Sequence, residues 1–135
     1  MTNLSDTTRR RVGYVMSGIV IAFMIFDSAM KLFALDVVIQ ASAELGYPAT
    51  AGFARGLGIT ALLCTALYAW PRSAVLGAVL LTGYMGGTVA THLRVGNPPF
   101  THMLFGVYLA LLAWGGLYLR DPRLGELLPF RSPRA

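Results

Sequence analysis

Long apolar runs separated by short polar breaks set the pattern of this chain. A helix that crosses the hydrocarbon of a bilayer needs about 20 mostly apolar residues. Four segments reach that length: Val12 to Leu35, Ala49 to Trp70, Ser73 to Leu93 and Phe100 to Leu119. The third and fourth contain no Asp, Glu, Lys or Arg. A soluble helical bundle would carry a polar stripe along each helix, and these segments carry none. The pattern therefore predicts an all-α fold: a polytopic membrane protein, a single domain of four transmembrane helices followed by a basic tail over 120–135.

The breaks have turn chemistry. Gly46-Tyr47-Pro48 precedes the second span, Pro71-Arg72 parts the second from the third, and Gly96-Asn97-Pro98-Pro99 parts the third from the fourth. A two-residue break at Pro71-Arg72 makes spans two and three antiparallel neighbours. Asp36 to Tyr47 is long enough for a short helical or interfacial piece.

Composition agrees with lipid as the solvent: 56% of residues are hydrophobic and 13% charged, and mean hydropathy is +0.61. A net charge of +5 would direct a soluble domain towards nucleic acid, but here the basic residues flank the spans. With four spans, both termini share a side with the Pro71 turn. That side holds Arg9, Arg10, Arg11, Arg72, Arg120, Arg123, Arg131 and Arg134, which is most of the 11 basic residues. The excess of Lys and Arg on cytoplasmic loops makes it the cytoplasmic side, leaving the 36–48 and 94–101 loops outside. The charge is a topology signal that also suits anionic lipid headgroups, and no nucleic-acid partner is expected. Arg9 to Arg11 before an apolar run resemble a secretory signal, but Asp27 and Lys31 stand where its cleavage site would fall, so the segment is expected to be retained as the first span.

Helices in lipid associate where small residues let backbones approach. Gly83, Gly87 and Thr91 recur every four residues with Gly86 beside them, and Gly52 with Gly56, and Gly18 with Ala22, form shorter pairs. The Gly83/Gly87 face is expected to make a tight helix contact, within the chain, with a second copy or with a partner in a membrane complex.

Charges at membrane depth are costly and face a bundle interior or a wet cavity. Asp27 and Lys31 stand four residues apart, the order that favours a same-face ion pair. Arg55 enters from the second span at a similar depth. Thr88, Thr91 and His92 share a face of the third span, Arg94 follows, and His102 opens the fourth. One reading makes these groups struts, with Lys31 and Arg55 reaching to the interface and Asp27 neutralised by one of them. The other gathers Asp27, Lys31, Arg55, Thr88, Thr91, His92, Arg94 and His102 around a pocket with a polar top and an apolar base, suited to a lipophilic ligand with a polar head, such as a quinone, a polyprenoid or a sterol-like molecule. No cofactor is evident in the residues themselves, and quinone is the candidate.

His92, His102 and Asp27 lack a metal-ligand spacing, so no metal site is expected. Both histidines lie near the interface, where haem ligation is not expected. The single cysteine, Cys64, excludes a disulfide or a thiol relay within the chain. A nucleophile triad and a phosphate-cradling loop are absent from the sequence.

The block from Leu81 to Arg94, LTGYMGGTVATHLR, with Leu76-Gly77-Ala78 before it, resembles the DoxX-like family of small bacterial membrane proteins. Gly46-Tyr47-Pro48, Pro71-Arg72, Asn97-Pro98-Pro99 and Tyr118 to Leu124 support the resemblance, which runs from about residue 13 to 131. It implies a four-helix bundle in a bacterial inner membrane. The broader group takes its name from a membrane subunit of a thiosulfate:quinone oxidoreductase, which implies a link to redox complexes and assigns no catalytic residue here. Two functions stand after this reading: a lipophilic-ligand site in the outer half of the bundle, associated with a membrane oxidoreductase, or a non-catalytic accessory subunit that anchors a partner.

Overall fold

The computed structural model describes residues 4–131, so Arg134 lies outside the described residues. Its helices are α1 (Leu4–Leu32), α2 (Asp36–Glu44), α3 (Ala51–Ala69), α4 (Ala74–Val95) and α5 (Phe105–Arg120). A π-helical turn, Pro99–Met103, leads into α5, and a 3-10 turn, Pro122–Glu126, follows it. Four segments are long and apolar enough to cross a membrane: Ser5–Leu32, Ala51–Ala69, Ala74–Val95 and Pro99–Arg120. The all-α polytopic bundle expected from the pattern is the observed fold.

The boundaries differ from expectation where hydropathy and helix part company. α1 begins at Leu4 rather than Val12, because Arg9 to Arg11 sit badly in hydrocarbon but well in a helix. It also stops short of Leu35. The N–H groups of Ala34 and Leu35 turn back to the carbonyls of Lys31 and Met30, with Ala34 in the left-handed region at φ 48°. Gly46 and Gly96 end α2 and α4 in the same way, at φ 82° and 75°. Thr50 caps α3 by accepting the Phe53 N–H at 3.2 Å. The Asp36 to Tyr47 stretch contains the short helix that its length allowed.

α1 packs on α3 and α5, and α4 packs on the same two, closing an antiparallel ring. The places where backbones nearly touch reveal how the ring is pinned. At the end that carries the termini, a Cβ on Gly13 would lie 2.7 Å from the Gly116 carbonyl, joining α1 to α5. One on Gly77 would lie 2.1 Å from the Tyr68 nitrogen, joining α4 to α3. Towards the opposite end the close pairs change. Gly58 of α3 abuts Ser28 to Leu32 of α1, and Gly106 of α5 abuts Met85 and Thr88 of α4. The ring is thus two hairpin-like pairs, α1 with α3 and α4 with α5, held together at the terminal end.

Tyr68 locks that terminal end. Fully buried, it donates from its hydroxyl to the Ala113 carbonyl at 2.7 Å and accepts from Ser17 at 2.8 Å. The Arg120 guanidinium lies 5.3 Å from the Tyr14 ring centroid and 5.7 Å from that of Tyr68, a cation held against two aromatic faces. Val20, Met24, Ala61, Ala78, Leu81, Leu109 and Ala113 fill the interior between the pairs. Ile25, Phe26, Leu63, Leu76 and Leu111 point outwards, as side chains solvated by lipid do.

Candidate functional site

Away from the terminal end the two pairs part around an open-sided cavity of about 550 Å³. Phe23, Met24, Asp27, Met30 and Lys31 line it from α1 and Leu57 from α3; Phe105, Gly106 and Leu109 line it from α5. α4 contributes Gly83, Tyr84, Met85, Gly87, Thr88, Thr91 and His92. α2 lies across it as a roof through Val37, Val38, Ala41, Ser42 and Leu45. Phe23 and Phe105 meet edge to face, with ring centroids 5.1 Å apart, along its wall.

The polar groups are mostly committed to one another. Lys31 and Asp27 form the ion pair expected from their four-residue spacing. The Lys31 ammonium also stands 6.0 Å from the Tyr84 ring centroid. Thr88 donates to the Met85 carbonyl, and Thr91 to that of Gly87, each at 2.8 Å. With its proton so used, Thr91 accepts from the Tyr47 hydroxyl at 2.7 Å, which ties the loop after α2 to α4. Asn97 donates to His92 Nδ1 at 2.7 Å, which sets the neutral ring's proton on Nε2.

Asp27, Lys31, Thr88, Thr91 and His92 therefore share one cavity, whereas Arg55 and Arg94 do not line it. Arg55 Nε donates to the Leu32 carbonyl at 3.2 Å, and Arg94 donates to the Leu45 carbonyl. Each neutralises the carbonyl end of a neighbouring helix, a favourable place for a cation. Their role is to fix the ends of α1 and α2 around the cavity. The side chain of His102 lies outside the described residues. Among the described residues no cluster of His, Cys, Asp and Glu is fit to hold a metal.

The glycine stripe makes no close helix contact inside the chain. Nothing lies within 4 Å of a Cβ placed on Gly83, Gly86 or Gly87; within the chain these residues make no tight contact, and Gly83 and Gly87 instead widen the cavity. Gly18, Gly52 and Gly56 are equally open. The glycines that seat helices on each other are Gly13, Gly58, Gly77, Gly106 and Gly116. Tyr84 is the site residue that the sequence reading passed over, although it precedes Thr88 by one turn on the same face.

Four long apolar helices set around one cavity, with a fifth laid across it, define a polytopic membrane protein of the four-helix-bundle class. A family model described as DoxX-like family matches residues 15–116, from within α1 to within α5, and the chain belongs to that family. No curated protein matches it. No solved structure matches it.

Proposed function

We propose that this protein binds a lipophilic small molecule, a quinone or another lipid-like ligand, in the cavity beneath α2, and does so as part of a membrane oxidoreductase. The supporting observation is the cavity itself. Its volume of about 550 Å³ lies within the roughly 300–1,000 Å³ of small-molecule sites, and its Phe, Met, Leu and Val surfaces surround a polar cluster centred on Asp27 and Lys31. Such a division suits a ligand with an apolar body and a polar head. With the basic terminal end in the cytoplasm of a bacterial inner membrane, the cavity occupies the outer half of the bundle.

Gly87→Leu tests the proposal. The position is open and on the cavity wall, and Leu is a good helix former, so the variant is expected to keep its melting temperature while filling the binding space. Mass spectrometry of organic extracts should find a lipophile co-purifying with the parent and depleted about ten-fold or more in the variant. A parent that carries none, or a variant that carries as much, returns the protein to the accessory-subunit reading.

A further inference from the structure

The donors and acceptors around the cavity restrict what kind of head group it takes. Ser42 donates to the Val38 carbonyl at 2.9 Å, and the protons of Thr88, Thr91 and Tyr47 are likewise spent inside the protein. Lys31 has three N–H donors, of which one is used by Asp27. The Tyr84 ring stands beside the ammonium, which can only donate, so the phenol proton is not drawn to it and stays available to a ligand. The Lys31 ammonium and the Tyr84 hydroxyl thus face the cavity as donors, with Asp27 Oδ1 beside them as an acceptor.

The charge is balanced. Asp27 and Lys31 cancel, and the neighbouring cations Arg55 and Arg94 are turned to backbone carbonyls outside the cavity. A ligand anion would find its attraction to Lys31 opposed by Asp27, and a ligand cation the reverse. Either would give up part of its hydration without a net counter-charge, a cost that mostly apolar walls do not return.

Resting on the ligand-binding reading above, we infer that the cavity selects an uncharged lipophile whose head carries a hydrogen-bond-accepting oxygen, a carbonyl, ether or hydroxyl, seated on Lys31 and Tyr84, and rejects lipophiles with a charged head. Tyr84 is then a specificity-determining residue, and the Asp27–Lys31 pair is a charge filter as well as a brace.

The experiment uses four probes with the same sixteen-carbon chain: methyl palmitate, hexadecane, hexadecyl sulfate and hexadecyltrimethylammonium. Each is added at equal mole fraction to the full-length protein in nanodiscs, and retention is read by native mass spectrometry. Methyl palmitate is expected to exceed the sulfate and the ammonium by at least about ten-fold, and hexadecane by about the five- to ten-fold of one net hydrogen bond. Tyr84→Phe should remove most of the preference over hexadecane while retaining hexadecane itself. Asp27→Asn leaves the wall with one net positive charge and should raise retention of the sulfate. Preference for either charged probe in the parent, or an ester preference untouched by Tyr84→Phe, overturns the inference while the cavity remains a binding site. Retention of none of the probes overturns the binding site and this inference with it.

Discussion

Tyr68 illustrates what a single polar atom does in an apolar interior. Its hydroxyl joins α3 to α5 through the Ala113 carbonyl and to α1 through Ser17, so one side chain fastens three helices. Tyr68→Phe keeps the ring and removes both bonds; it is expected to cost about 1 kcal/mol and to lower the melting temperature in detergent. An unchanged melting curve would show that ring packing alone holds this point. Residues were legible in the sequence to the extent that their partners were local. Asp27 and Lys31 could be paired from a four-residue spacing, and Thr88, Thr91 and His92 could be put on one face. Arg55 and Arg94 could not be given partners from sequence, because the carbonyls they bind, those of Leu32 and Leu45, depend on where other helices end. Tyr84 was missed because a tyrosine within an apolar span reads as bulk, and only the approach of Lys31 from α1 sets it beside the ion pair.

Among the elements, the glycines show the limit of spacing as a guide. Gly83 and Gly87 have the four-residue interval associated with close helix contact, yet within the chain they line open space; Gly77 is where α4 meets the backbone of α3. Close approach is a property of two helices and their crossing, and one strand of sequence records only half of it. The difference is measurable. Gly77→Ala puts a methyl 2.1 Å from the Tyr68 nitrogen and should destabilise the bundle by about 1–3 kcal/mol as the helices are pushed apart. Gly83→Ala adds a methyl to open space and should leave stability unchanged or raise it slightly, since Ala is the better helix former. Equal melting temperatures for the two variants would contradict the pinning described here. The helix ends show a similar division: Gly46 and Gly96 announce their turns, while Ala34 adopts a left-handed conformation that its sequence does not advertise.

At the scale of the whole molecule, four spans and antiparallel order were legible because bilayer thickness and positive charge act on any sequence in the same way. The expected orientation can be tested with single cysteines at Pro98 and Arg72, both exposed, in a Cys64→Ser background. A membrane-impermeant maleimide added to intact cells should label Pro98→Cys and should reach Arg72→Cys only after permeabilisation; the opposite pattern would invert the bundle. What the sequence did not disclose is the cavity, because it arises from a change of packing partner along the helices, and no single span contains that information.

The division into two helix pairs also divides the chain. α1 to α3, with the roof α2 between them, precede Trp70, and α4 with α5 follow Ser73; the only covalent crossing between the pairs is the short turn that joins them. None of its residues lines the cavity. The surfaces that hold the pairs together, Gly13 on Gly116, Gly77 on Tyr68 and Arg120 between two tyrosines, are non-covalent and complete without it. The protein should therefore be separable into two genes. Fragments ending at Pro71 and starting at Arg72, the second given an initiating Met and the two produced together, should each insert as a hairpin and find one another in the bilayer, recovered as a one-to-one complex by a tag on either half.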